Sequence, residues 1–284
     1  MEMTHRFDKD IALICLDRDE SGAGNYQAEI QPTWSVHVGP NGGYIAAILL
    51  NAMLTHLEDP ARQPRSITFH FLSPSIPGPA EVTVQTHKLG RSLATLSASL
   101  LQGGRTIAMA LCTFAPAREQ FSFMDFSMPD VLSPAQVPEN HRMNAGMSGH
   151  VAFRDHYDQR LAIGPIPPDA GSTPEALVGG WTRFSQPRQM DSLAVVAISD
   201  SWFPSLFARS LPARVHAPSV DHSVHFFTSL PLAEMNAEDF VLVEFRTEIV
   251  QEGFLQEDGR IWSPRGHLIA QSRQLAVVLN HENQ

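Results

Sequence analysis

The longest apolar run of the chain, YIAAILLNAML from Tyr44 to Leu54, places hydrophobic side chains in nearly every direction of a helical projection. An ordinary surface helix carries a single apolar stripe. A helix apolar all round must be buried all round. Other segments alternate with period two, as half-buried strands do. In VLVEFRT, Val241, Val243, Phe245 and Thr247 share one face, and Leu242, Glu244 and Arg246 take the other. In LIAQSRQLA, Gln274 shares its face with Leu268, Ala270, Ser272 and Ala276, while Gln271 and Arg273 point away. Along SVDHSVHFF, the same alternation groups Asp221 with Ser219, Ser223 and His225.

These elements recur in order. Residues 65–116 and 218–279 each open on a short aromatic strand ending at a proline turn, FHFLSP in one and HFFTSLP in the other. Each continues through an alternating run and a glycine hairpin to a final apolar strand. GGRTIAMALC and RGHLIAQSRQ align without a gap, setting Gly104 opposite Gly266 and Cys112 opposite Gln274. Upstream, NYQAEIQPTWSV precedes the apolar helix, and LVGGWTRFSQP precedes DSLAVVAISDSWFPSLF, which carries helical spacing at Leu193, Val196, Ala197 and Leu206. An internal repeat of this kind governs the whole fold. Each half reads strand, strand, long helix, then three or four strands, an α+β unit. A curved antiparallel sheet wrapped about the helix gives that helix its all-round burial, so the expectation is a double hotdog. Its parts are an N-terminal repeat over 1–117, a connection rich in Pro, Met, Asn and Ser over 118–145, and a C-terminal repeat over 146–284.

Composition narrows the classes of function. A formal charge of −10 over 284 residues argues against nucleic acid or an anionic membrane surface as the main partner. The apolar run is far shorter than the ~20 residues of a membrane-spanning helix, and no membrane insertion is expected. MEMTHRFDKD lacks the apolar core of a signal peptide. Two isolated cysteines, Cys15 and Cys112, fit neither a disulfide framework nor a metal site. The expected setting is therefore a reducing one, the cytoplasm, with the peroxisome left open. His222 and His225 stand three apart on a strand, face opposite sides and cannot chelate one ion. GMSGH, over residues 146–150, lacks the spacing of a nucleophile elbow, and GAGNYQ lacks the third glycine and following helix of a dinucleotide loop. No metal and no cofactor is expected.

GPNGGYIAAILL, FHFLSPSIPGPAEVTVQTHKLGRSLATLSASLLQGGRTIAMALCTF and PSVDHSVHFF together resemble the TesB-like double-hotdog acyl-CoA thioesterases, over roughly residues 15–117 and 175–279. The resemblance implies hydrolysis of acyl-CoA thioesters to free acid and CoA. It also implies a catalytic trio from the second repeat: the Asp of a D-H-S-x-x-F strand, here Asp221; a Ser or Thr of the next long strand, here Thr247; and a Gln of the last strand, here Gln274. Extra residues between Phe227 and Phe240 also bring Gln251 and Thr228 near the position matched to Thr247. The family usually follows its Gln with Glu-Gly, whereas Leu275 and Ala276 follow here.

Carboxylate, hydroxyl and amide suit the attack of water on an activated acyl group, the first as general base and the others as orienting groups. The oxyanion needs donors, and the free N–H groups at the N-terminus of the apolar helix can supply them. Asn41 as N-cap followed by Gly42 and Gly43 leaves those amides bare, although two glycines also serve a tight strand-to-helix turn. Arg91, Arg105 and Arg118 are candidate contacts to CoA phosphates. Two other functions compete. An enoyl-CoA hydratase would call for an Asp-x-Asn-Pro-x-His motif, and the chain has no Asn-Pro. A non-catalytic acyl-binding module would gain nothing from a buried carboxylate and would bear its desolvation. Exposed sheet edges and helix pairing predict a homodimer or higher homo-oligomer.

Overall fold

A computed structural model describes residues 5–36, 39–143, 151–165, 173–211 and 215–280 of the chain. The 146–150 run and the expected boundary at 145/146 lie outside the described residues. In the first half, a short helix α1 (Arg6–Asp10) leads into β1 (Leu13–Arg18), β2 (Ala23–Ile30) and the long helix α2 (Gly42–Leu57). Four strands follow: β3 (Gln63–Phe71), β4 (Gly78–Leu89), β5 (Ala94–Gln102) and β6 (Arg105–Ala115). The second half repeats the sequence as β7 (Tyr157–Ile163), β8 (Ala176–Phe184), α3 (Ser192–Ile198), β9 (Ser219–Phe226), β10 (Val241–Gln251), β11 (Phe254–Trp262) and β12 (Leu268–Val277).

All twelve strands form one antiparallel sheet in the order β1-β2-β4-β5-β6-β3-β9-β12-β11-β10-β8-β7. Read from its two edges inward, the order is the same path walked twice. The halves meet where β3 pairs with β9, with Val224 opposite Ile67 and Asp221 opposite His70. The hairpin glycines that the repeat set opposite one another, Gly104 and Gly266, both have positive φ, 76° and 83°. The fold is the expected α+β double hotdog.

Helix α2 shows the all-round burial its composition demands. Every residue from Gly43 to Leu50, together with Ala52 and Met53, is buried. It packs on β4, β5 and β6 and on α3. Its one mid-helix polar group, Asn51, is satisfied by donating from Nδ2 to the Ile11 carbonyl at 2.8 Å. Left-handed Glu58, at φ 52°, ends the helix.

The second helix departs from expectation. DSLAVVAISDSWFPSLF forms α3 over only seven residues, and a separate 3-10 turn follows at Ser205–Ala208. Pro204 cannot join a helix interior from the preceding turn. Serines also compete for the backbone: Ser199 Oγ donates to the Val196 carbonyl and Ser201 Oγ to the Ile198 carbonyl. The break leaves residues 199–204 as a bend lying against the N-terminus of α2.

Candidate active site

That bend carries an acid. Asp191 caps α3 by accepting the Ala194 N–H at 2.8 Å, and the chain turns immediately after Ser199. Asp200 is thereby aimed at the start of α2. Its Oδ2 accepts the Gly43 N–H at 2.8 Å and Asn41 Nδ2–H at 3.2 Å, and its carbonyl accepts Asn41 Nδ2–H at 2.8 Å. Asn41 is also the N-cap of α2, its Oδ1 accepting the Tyr44 N–H at 3.1 Å. A helix N-terminus favours an anion. Burial opposes it and prevails, raising the Asp200 pKa to about 6 against the two hydrogen bonds that lower it. The approach requires glycine. A Cβ on Gly43 would stand 2.6 Å from the Ala197 carbonyl oxygen, and one on Gly42 2.8 Å from Asp200 Oδ2. The Gly43 amide, expected to be bare, is therefore engaged by Asp200.

Beside Asp200 lie Gln274 and Ser219. Gln274 projects to the helix-facing side of β12 with Ala270, Ser272 and Ala276, as its alternation predicts. Its amide Nε2–H donates to Ser219 Oγ. The pairing of β9 with β12 holds Ser219 opposite Ala276 but Asp221 opposite Leu275, a one-residue bulge at Val220. Each residue takes the face of its cross-strand partner. Ser219 therefore points inward with Gln274, while Asp221 points outward with Ser223 and exposed His225. The expectation that Asp221 joins Gln274 in a cleft assumed unbroken alternation, and the bulge removes it.

Thr247 does point inward, on the buried face with Val241, Val243 and Phe245. It lies two strands from Gln274, with Glu257 between them: Thr247 pairs with Glu257, and Glu257 with Gln274. Its Oγ1 hydrogen-bonds Ser205 Oγ at 2.9 Å, and Gln274 bonds Ser219 rather than Thr247. Of the other residues near that match, Thr228 follows the end of β9 and Gln251 is exposed at the end of β10.

Behind this row, His222 faces Gln274 across the strands and is buried. Ser199 Oγ lies 2.8 Å from the Val196 carbonyl and 2.7 Å from His222 Nε2, which ties the imidazole to the C-terminal end of α3. Burial lowers the His222 pKa to about 4.

Two cavities meet at these residues. One, of about 430 Å³, is lined by Asp200, Ser219, Gln274 and Glu257 among the aromatic side chains of Phe153, Trp202, Phe203 and Phe245. The other, of about 570 Å³, is lined by Gly42, Ile45, Phe71 and Ile107. Asn41, Asp200 and Ser219 belong to both walls. A reacting group held there can extend an apolar chain to one side and a second arm to the other.

Sequence reasoning singled out Gln274 and the glycine-opened helix, which line these cavities, and did not single out Asp200, Ser219 or Glu257 as site residues. Asp200 had left a signal: it is the only charged residue between Ser192 and Ala208. Glu257 had left one too, at an alternate position with Leu255, Gly259 and Ile261 of β11.

Comparison with known proteins agrees with this architecture. Residues 30–115 match the family model of the acyl-CoA thioesterase N-terminal domain, and residues 129–278 that of the acyl-CoA thioesterase C-terminal domain. A thioesterase-like protein, TwmA of Talaromyces wortmannii, is 29% identical over 228 residues, 72% of this chain and 61% of its own length. This chain thus spans less than two thirds of that relative. A hot-dog-fold crystal structure from Alicyclobacillus acidocaldarius superposes with a TM-score of 0.84 at 26% identity, covering 97% of this chain and 98% of that one. The acyl-CoA thioesterase II TesB2 of Mycobacterium marinum shares the fold with a TM-score of 0.73 at 19% identity, covering 98% of this chain and 100% of its own. With both domains matched in order along one continuous sheet, the chain belongs to the acyl-CoA thioesterase family.

Proposed function

We propose that the protein hydrolyses acyl-CoA thioesters with Asp200 as general base and with Ser219 and Gln274 orienting the attacking water. The observation that carries this reading is a half-buried carboxylate at a helix N-terminus, sharing a cavity with the Gln274–Ser219 pair. Asp200 takes a proton from water as the oxygen attacks the thioester carbonyl. The C–S bond then breaks, and the CoA thiolate leaves and recovers the proton from Asp200. A carboxyl with a pKa near 6 is largely ionised at neutral pH yet basic enough to accept a proton. Gln274 donates to Ser219, which frees the serine O–H to point at water or carboxylate. The carbonyl approaches the α2 N-terminus on the Gly42 side, where backbone without a side chain lines the second cavity.

Release of free CoA from an acyl-CoA panel tests the assignment. Asp200→Asn is expected to lose about 10²–10⁴-fold in kcat, the usual worth of general-base catalysis. An Asp200→Asn enzyme as fast as wild type would overturn it.

The finer setting belongs to the same proposal. Exposed Ile14 and Leu16 on edge strand β1 suit contact with a second copy of the chain, and the free thiols of Cys15 and Cys112 suit a reducing compartment. Among the described residues no helix is long and apolar enough to cross a membrane.

A further inference from the structure

One side chain of the aromatic cavity has no part in the chemistry above. Alternation along β11 turns Leu255, Glu257, Gly259 and Ile261 toward the core, where an apolar residue would be the ordinary occupant of position 257. Glu257 is instead seated between Thr247 and Gln274 in one cross-strand row. Its Oε2 accepts the Ser205 N–H at 2.5 Å. Ser205 is itself fully buried and tied to Thr247 at 2.9 Å, so this oxygen is firmly fixed. Among the described residues the hydrogen bonds to Glu257 come from Ser205, and the carboxyl lines the cavity beside Trp202, Phe203 and Phe245. Arg154 lines the same cavity, and the charges of Asp200 and Asp258 both raise the Glu257 pKa.

A carboxyl set among aromatic rings is costly unless its acceptor capacity is used. The Ser205 backbone N–H and hydroxyl leave part of the acceptor capacity of the carboxyl, about four lone-pair sites, unused. We propose that Glu257 determines specificity, the remaining acceptor capacity of its cavity-lining carboxyl forming a polar subsite for an acyl group that bears a hydroxyl. A hydroxyl both donates and accepts, which matches a carboxyl in either protonation state. Burial, the largest influence, places the Glu257 pKa at about 7, so both states are populated near neutrality. A plain alkyl chain in the same place leaves that remaining capacity unused, and a site built around a substrate hydroxyl discriminates against analogues lacking it. The inference rests on the hydrolytic reading for its substrate class, though not for its test.

The probes are matched pairs of thioesters: butanoyl-CoA with 3-hydroxybutanoyl-CoA, hexanoyl-CoA with 6-hydroxyhexanoyl-CoA, and phenylacetyl-CoA with 4-hydroxyphenylacetyl-CoA. Affinities are measured by calorimetry on Asp200→Asn protein, which separates recognition from turnover. At least one hydroxylated member is expected to bind about 10-fold tighter than its partner, the worth of one hydrogen bond to a charged group. Adding Glu257→Leu should erase that preference while leaving the plain member within about 3-fold. Glu257→Gln retains an oxygen for the Ser205 N–H and should keep part of it. Equal affinities within every pair, or equal losses for both members in Glu257→Leu, would overturn the inference. A binding preference without CoA release in the wild type would uphold the subsite and refute the hydrolytic reading instead.

Discussion

Ser219 and Asp221 stand two residues apart on one strand and face opposite sides of the sheet, because the register of β9 against β12 slips by one residue between them. The slip delivers a hydroxyl to Gln274 and leaves a carboxylate on the outer surface. Ser219→Ala is expected to lower kcat by about 10–100-fold, since it removes an orienting group rather than the base. Asp221→Asn should stay within about 2-fold of wild type, surface changes being mostly neutral. Steady-state CoA release on the two variants decides the matter; comparable losses in both would contradict the facing seen here.

The pH dependence follows from Asp200. Its carboxyl must be ionised to act as base, so kcat/KM should climb as pH rises through about 6 and then level. Asp200→Asn should abolish that limb in whatever activity remains. A wild-type profile flat from pH 5 to 8 would show that no group of this kind controls the rate.

Stability should run the other way. The folded-state pKa values of Asp200 and Glu257, about 6 and about 7, lie above the ordinary carboxylate values of 3.8 and 4.5. Between those limits the folded protein binds more protons than the unfolded chain, so these two groups lower stability as pH rises through the window. Asp200→Asn and Glu257→Gln are each expected to raise Tm at pH 8, by about 2–4 °C for each kcal/mol recovered, with little gain at pH 4. Thermal melts of the variants at the two pH values measure the difference.

His222 acts with the opposite sign. Its pKa falls from 6.5 to about 4 in the folded protein, so below pH 6.5 the unfolded chain takes up the proton first and stability drops toward pH 4. His222→Gln should flatten that acid limb while costing stability at pH 8 through imperfect packing. A melt series from pH 7 to 4 would reveal an unchanged slope if the imidazole were in fact solvated.

Glycine at position 43 is a steric requirement of the site. With a Cβ 2.6 Å from the Ala197 carbonyl, Gly43→Ala must push α3 away from α2 and carry Asp200 with it. The expected result is a Tm loss together with a fall in kcat, and circular dichroism melts beside the CoA assay would register both. Loss of stability at undiminished kcat would separate the contact from the chemistry.

The legible parts of the molecule were those written in long, regular patterns. Helix α2 announces itself because apolar residues occupy every side of it, and Gln274 keeps its predicted face because β12 runs without interruption from Ala270 to Ala276. The parts misread depend on single-residue events. A bulge at Val220 exchanged Ser219 for Asp221, and the break before Pro204 turned a supposed helical residue, Asp200, into the acid of the bend. Local register of this kind is set by hydrogen bonds to neighbouring strands and to α2, partners that lie far away in the chain.

The seam between the halves has a consequence for traffic. It is fastened on one side of the sheet by Thr68 and Ser223, whose hydroxyls meet at 2.9 Å, and on the other by Asn41 and Asp200. Pinned on both faces, the halves cannot open like a jaw without first dismantling the acid's own support. Entry of a thioester to the cavities beside Asp200 therefore has to leave that seam closed.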